Sequence, residues 1–326
     1  MITKEYVFDR EANAGLTLYL HEDCPEFQRV KNRPFVLIIP GGGYSFCSER
    51  EGEPIALNFL ASGYHTGVLR YHVGQYRHFE QSLADAEKSL IIIRELAKEW
   101  KIDQEKIAVI GFSAGGHLAA AMSNLLEEKP SLCILGYPAI LSSFSEVMKI
   151  SAPSLDQCVT KDTPPTFLFS TFEDNVVPIE NSLLYLRALE ENDVPFETHI
   201  FQKGLHGLSL ASKWYGAREE MIDERFARWL PQCIEWMELN WKESEKVNHT
   251  IEISNVEEMP IKQLMAVQEN QQLLYRLFPR WQDSSRYKLV KNFSVNQLRR
   301  AVPEMFSAKQ FEQLSKGLVV PKEGNE

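Results

Sequence analysis

A serine between two glycines is the residue of this chain with the clearest chemical potential. Ser113 stands in the pentapeptide Gly-Phe-Ser-Ala-Gly at 111–115, directly after the apolar run Lys106–Ile110 and before a small-residue stretch typical of a helix start. A serine at such a sharp strand-to-helix corner exposes its hydroxyl, and the neighbouring glycines avoid side-chain collisions. The pattern predicts a nucleophile for acyl transfer through a serine ester. The alternative is a tight turn with an idle serine.

A run of three glycines could stabilise the negative charge that such a reaction develops. The run is Pro-Gly-Gly-Gly-Tyr at 40–44, immediately after the apolar segment Phe35–Ile39. Uncovered backbone amides can donate to an oxyanion, so we expect Gly42, Gly43 and Ala114 to form an oxyanion hole. A phosphate-binding loop would end in Gly-Lys-Ser/Thr, which this run lacks. A plain flexible loop is the other alternative.

A carboxylate and a histidine follow at the ends of two later apolar runs. Glu173 and Asp174 come after the run Thr166–Ser170, and His206 lies in a glycine-flanked loop after Phe196–Phe201. A histidine can take the serine proton, and a carboxylate can fix its tautomer and stabilise its positive charge. Spacing does not separate Asp174 from Glu173 for this role, and either could instead cap the helix expected near Pro178.

The elements that would position these residues alternate between apolar strands and helical patterns. Continuous apolar strands alternating with helices predict a mostly parallel, doubly wound sheet covered on both faces. Two alternating runs at the beginning predict an antiparallel pair. The predicted strands are Glu5–Phe8, Leu16–Leu20, Phe35–Ile39, Tyr64–Tyr71, Ile107–Ile110, Ser131–Gly136, Thr166–Ser170 and Phe196–Phe201. The predicted helices are Phe79–Trp100, one after Ser113, Pro178–Glu191 and Glu224–Trp241.

The chain changes character after this alternating region. We predict a catalytic domain over residues 1–241, a charged linker over 242–249 and a small helical C-terminal domain over 250–326. In the last part, Ser294 with Gln297 and Ser307 with Gln310 have capping-box spacing. Its nine apolar positions predict a small core: Leu264, Leu273, Leu274, Leu277, Phe278, Leu298, Phe306, Phe311 and Leu314. These helices could dimerise, cover the site or bind a partner.

Composition and charge exclude several classes of function. The net charge is −10 with no basic block, which argues against nucleic acid or an anionic membrane as partner. The beginning of the chain lacks the apolar core of a signal peptide, and no run approaches the ~20 apolar residues of a membrane span. Five cysteines without a C-x-x-C pair favour a reduced, cytoplasmic protein. No histidine pair forms a metal motif, and the expected chemistry needs no cofactor.

Residues 1–241 resemble the α/β-hydrolase superfamily, and the site motifs resemble its acetyl-esterase, acetylxylan-esterase-like branch. The resemblance rests on the glycine run at 40–44, the motif at 111–119, Asp174 with Val177-Pro178, and His206-Gly207. It implies an α/β-hydrolase fold with a small C-terminal helical appendage, and a triad in the order serine, acid, histidine. It also favours Asp174 over Glu173.

The resemblance implies a serine esterase for short acyl groups, acetyl groups on sugars among them. Hormone-sensitive-lipase-like relatives usually carry a histidine before the glycine run and an acidic residue before the serine, whereas this chain has Pro40 and Phe112. An arylformamidase or other amide hydrolase of the same fold is an alternative within the superfamily. The alternative from another class is a non-enzymatic binding protein that keeps the hydrolase scaffold and uses its C-terminal helices for interaction. Those helices could also form a homo-oligomer.

Overall fold

The computed structural model describes residues 1–27, 29–247 and 256–319. The chain divides into two compact units, Met1–Ser244 and Glu245–Glu326. The first unit holds a single eight-stranded sheet in the order β1-β2-β4-β3-β5-β6-β7-β8. Its strands are β1 (Ile2–Asp9), β2 (Ala14–Leu20), β3 (Arg33–Ile39), β4 (His65–Arg70), β5 (Ile102–Phe112), β6 (Leu132–Gly136), β7 (Thr166–Thr171) and β8 (Phe196–Phe201).

The pairing within this sheet confirms the predicted strands and their mostly parallel arrangement. Strand β2 runs antiparallel to both β1 and β4, while the other neighbouring strands pair in parallel. The loops that follow β3, β5, β7 and β8 therefore emerge at the same edge of the sheet. In sheets of this type ligands bind at that edge.

Helices cover both faces of the sheet. Neighbouring strand residues point to opposite faces, so Leu37 packs in one core cluster with Leu90 and Leu118, and Ile38 packs in the other with Phe59. This two-sided burial explains why the strands are continuously apolar. The helices are α1 (Glu53–Ala61), α2 (Phe79–Glu95), α3 (Ala97–Trp100), α4 (Ala114–Leu125), α5 (Ser143–Met148), α6 (Glu180–Glu191) and α7 (Trp229–Val247).

Two sequence expectations about helices need correction. The predicted helix Phe79–Trp100 is divided at Leu96 into α2 and α3. The charged stretch beginning at Lys242 is not a separate linker, because α7 continues to Val247, and predicted linker residues 248 and 249 lie outside the described residues. Lysine and glutamate are good helix formers, and Lys242 pairs with Glu238 one turn earlier.

The second unit is built from short helices around its own apolar core. These are α8 (Ile261–Met265), α9 (Gln268–Leu277), α10 (Ser284–Val290), α11 (Val295–Ala301) and α12 (Ala308–Gly317). All nine apolar positions named above belong to this core or pack against it, and both predicted capping boxes are present. None of the helices among the described residues combines the length and apolar composition that a membrane-spanning segment requires.

Candidate active site

Ser113 occupies the sharp corner between β5 and α4. Its backbone has φ 52° and ψ −118°, a conformation that is strained for an L-residue and that clusters at functional sites. The neighbouring glycines are sterically required. A Cβ on Gly111 would lie 2.2 Å from the carbonyl oxygen of Gly115, and one on Gly115 would lie 2.2 Å from that of Ile39. The sequence motif thus forms the strand-to-helix corner that it predicts.

His206 lies between Ser113 and Asp174. Its Nε2 is 2.9 Å from the Ser113 hydroxyl oxygen, and its Nδ1 is 2.8 Å from Oδ2 of Asp174. A carboxylate can only accept a hydrogen bond, so Nδ1 carries the proton and Nε2 is free to accept the serine O–H. This arrangement lets the imidazole act as a general base toward Ser113.

The structure brings Asp174, and not Glu173, to the histidine. Oδ1 of Asp174 accepts the backbone N–H groups of Val176 and Val177 at 2.9 and 2.8 Å, which leaves Oδ2 for His206. The Asp174 side chain is 2% exposed, whereas Glu173 faces solvent. The capping alternative is not supported, because the next helix begins at Glu180 after Ile179 and has no side-chain cap, so the backbone contacts of Asp174 fix its own loop instead.

The glycine run lies directly against Ser113. A Cβ on Gly41 would come within 2.9 Å of the Ser113 Cβ, and one on Gly42 would come within 2.0 Å of the Phe46 carbonyl oxygen. The Gly41 amide is already engaged, because it donates to Glu51 at 2.9 Å. Across the described part of the chain, the amides of Gly42, Gly43 and Ala114 donate to no protein acceptor. These three amides therefore have donor capacity left for a ligand.

Behind these loops lies a polar network that the sequence did not reveal. Glu51 is 3% exposed and accepts a hydrogen bond from the Tyr137 hydroxyl at 2.6 Å. In the sequence, Glu51 belongs to the charged stretch Ser48–Glu51, which is typical of a solvated surface turn. The only available signal was the place of Tyr137 just after β6, at the same edge of the sheet as the other loops.

A buried histidine lies in α4, the helix that follows Ser113. His117 is 1% exposed, its Nδ1 accepts the Tyr44 hydroxyl at 3.0 Å, and its Nε2–H donates to the Pro153 carbonyl at 3.2 Å. Burial lowers the pKa of His117 from 6.5 to about 4. Between about pH 4 and pH 6.5 the folded protein therefore keeps this imidazole neutral, whereas the unfolded chain would protonate it.

We expect this histidine to weaken the fold in mild acid. Because its pKa is lower in the folded state, the unfolded state binds more protons below pH 6.5, and the free energy of unfolding falls as the pH falls toward 4. Between pH 7 and 5 this single group accounts for a loss of about 2 kcal/mol. Urea unfolding of native protein and His117→Gln at both pH values should show a smaller acid loss in the variant. The exposed His78, replaced by Gln, serves as the control, and an equal loss in all three proteins would contradict the prediction.

Comparisons with known proteins agree with this architecture. The family model BD-FAE matches residues 23–134, and that of the prolyl oligopeptidase family matches residues 141–259. The chain is similar to the solved α/β hydrolase enzyme MGS-M1 from a Medee basin deep-sea metagenome library. That match has 37% identity and a TM-score of 0.69, and it covers 74% of this chain and 98% of that one.

Two further relatives have names that concern xylan-type substrates. The acetyl ester-xyloside bifunctional hydrolase from Caldicellulosiruptor lactoaceticus is 31% identical with a TM-score of 0.61, covering 71% of this chain and 90% of that one. Endo-1,4-beta-xylanase B of Butyrivibrio fibrisolvens is 32% identical over 268 residues, which is 69% of this chain. The chain spans only 41% of the length of that xylanase.

Proposed function

We propose that this chain, which belongs to the α/β-hydrolase family, is a serine esterase that removes short acyl groups, acetyl above all, from sugar hydroxyls. The observation that carries the proposal is the line of hydrogen bonds from Ser113 through His206 to Asp174, at 2.9 and 2.8 Å. A serine, a base and an orienting carboxylate in this geometry form the arrangement that activates a hydroxyl for acyl transfer.

The reaction proceeds in two halves through a covalent serine ester. The Ser113 oxygen attacks the ester carbonyl carbon while Nε2 of His206 takes the hydroxyl proton, which gives a tetrahedral intermediate. The intermediate collapses, the bond to the alcohol oxygen breaks, and His206 returns the proton to that oxygen. Water then attacks the acyl-enzyme with His206 again as base, and the acid and free Ser113 are released. Asp174 holds the imidazole in the required tautomer and stabilises its positive charge.

The intermediate's negative oxygen would be held by backbone amides. The amides of Gly42, Gly43 and Ala114 lie on the two segments next to Ser113 and have no protein acceptor within the described residues. Donors that are already in place cost no reorganisation when the charge develops. The positive end of α4 adds to this effect, because the helix begins at Ala114.

The choice of sugar acetates rests on similarity and on two sequence departures. A relative that this chain covers almost entirely is called an acetyl ester-xyloside bifunctional hydrolase. Pro40 and Phe112 stand where lipase-like relatives carry histidine and an acidic residue. Together these features favour small acyl groups on carbohydrate alcohols over long-chain lipids.

A series of p-nitrophenyl esters from acetyl to octanoyl tests the acyl preference. We expect kcat/KM to be highest for acetyl and to fall by about tenfold or more by hexanoyl, since each poorly accommodated methylene costs on the order of 1 kcal/mol. Acetylated xylose should release acetate in the same preparation. A preference for longer chains would leave the triad intact and contradict the sugar-acetate specificity. Faster cleavage of an N-formyl aryl amine than of any ester would assign the site to amides.

A further inference from the structure

Glu51 is a buried carboxylate with two donors from two different loops. It ends the short helical turn Glu49–Glu51 and is 3% exposed. Its Oε2 accepts the backbone N–H of Gly41 at 2.9 Å, and its Oε1 accepts the Tyr137 hydroxyl at 2.6 Å. A buried carboxylate is costly unless it is well hydrogen-bonded, so this pair of contacts defines its position closely.

The same network reaches the loop that carries the proposed base. The Tyr137 hydroxyl, while donating to Glu51, accepts the backbone N–H of Ser209 at 3.0 Å. The Ser209 hydroxyl donates to the Arg50 carbonyl at 2.6 Å, and the Arg50 guanidinium donates to the Gly207 carbonyl at 2.8 Å. Residues 50 and 51 therefore bind the glycine run on one side and the residues after His206 on the other.

The segments held by this network have backbone conformations that they would not keep alone. Tyr137 has φ 37° and Ser209 has φ 53°. Non-glycine residues with positive φ persist only where surrounding contacts impose the conformation. The Tyr137 ring also packs edge-on against the His206 imidazole, with centroids 5.0 Å apart. A shift at Glu51 would therefore be transmitted to the base as well as to the glycine run.

We infer that Glu51 is a positioning residue that sets the oxyanion loop and the histidine loop relative to each other across Ser113. The inference rests on the proposed ester hydrolysis and adds to it a residue that does not contact substrate. Replacing Glu51 with glutamine puts an NH₂ group where an acceptor oxygen stood. That group must face either the Gly41 amide or the Tyr137 hydroxyl, so one of the two donors loses its acceptor.

Steady-state kinetics on p-nitrophenyl acetate test the inference in the 326-residue chain. Glu51→Gln should lower kcat by about 10- to 100-fold with KM within about threefold, because a misplaced oxyanion loop affects the transition state more than the bound substrate. Rates are expressed per active site, titrated with a fluorophosphonate. Glu49→Gln is the matched control, because Glu49 lies in the same turn, is exposed and pairs with Arg70 at the surface. It should match the native enzyme.

A second variant keeps the inference testable if Glu51→Gln fails to fold. Tyr137→Phe keeps the Gly41 contact and removes the link to Ser209, so we expect a smaller fall in kcat, about 3- to 10-fold. The double variant should lose no more than Glu51→Gln alone, since both act through one network. A per-site kcat within twofold of native in both single variants, or an effect on KM only, would overturn the inference.

Amide hydrogen exchange tests the role of Glu51 without relying on ester turnover. Absence of ester turnover in the native protein would refute the function, and exchange would then test Glu51 alone. Peptides covering 40–46 and 205–210 should exchange faster in Glu51→Gln than in native protein, while the β1–β2 pair stays unchanged. Equal exchange, or a uniform increase over the whole unit, would overturn the positioning role.

Discussion

The Ser113→Ala variant should hydrolyse p-nitrophenyl acetate with a kcat about 10⁴-fold below that of the native protein. The reason is that Ser113 supplies the oxygen that forms the covalent bond in the proposed mechanism, and no other hydroxyl lies 2.9 Å from Nε2 of His206 among the described residues. Stopped-flow or steady-state release of p-nitrophenolate measures the effect, and mass spectrometry after fluorophosphonate labelling identifies the modified peptide.

The control for this experiment is an exposed serine outside the site. Ser62 follows α1, and its hydroxyl donates to the Asn58 carbonyl of the same helix, so Ser62→Ala should keep the native rate. The melting temperature of Ser113→Ala should stay close to native, because alanine removes one hydroxyl without changing the packing. A Ser113→Ala variant that retains more than about a hundredth of the native kcat would show that ester cleavage uses another group.

The Asp174→Asn variant should lose about 10³- to 10⁴-fold in kcat. Asparagine keeps the size of the side chain but loses the negative charge that stabilises the imidazolium, and its amide group can reverse the tautomer of His206. The measurement is kcat for p-nitrophenyl acetate at neutral pH, with binding of substrate followed through KM.

Glu173→Gln provides a matched control for that experiment. Its carboxylate precedes Asp174 in the chain but is exposed, whereas the Asp174 side chain is 2% exposed and touches His206. We therefore expect Glu173→Gln to behave as native. Loss of activity in Glu173→Gln with retained activity in Asp174→Asn would contradict the proposal and show that Glu173 is the carboxylate that orients His206.

The fold was predictable because its signals are local. The run Phe35–Ile39 within β3 is continuously apolar and is followed by glycines, and this pattern, together with the alternation of such runs with helical patterns, predicts a buried parallel strand that ends at a loop. The capping boxes of Ser294 and Ser307 are likewise contained within four residues each. The end of α7 was missed because a charged stretch suits an exposed helix as well as a linker.

In the candidate site, the sequence could predict only the residues that lie within recognisable motifs. Ser113 and His206 stand beside glycines that mark special backbone conformations. Nothing adjacent to Glu173 and Asp174 decides between them, since the choice depends on which carboxylate the loop turns toward His206. Glu51 escaped prediction for the same reason, because its burial is created by Tyr137 and Gly41, which lie 86 and 10 residues away.

The distance in sequence between the proposed nucleophile and base has a consequence for folding. Ser113 and His206 are separated by 93 residues of sequence, and they meet only after β5, β6, β7 and β8 have paired in that order. Contacts between such distant residues form late, because a long loop must close before they are gained. Partly folded chains would therefore have a serine without its base. As denaturant is added, ester turnover should therefore be lost together with the β-sheet structure. Catalytic activity would then report on whether the whole sheet is folded.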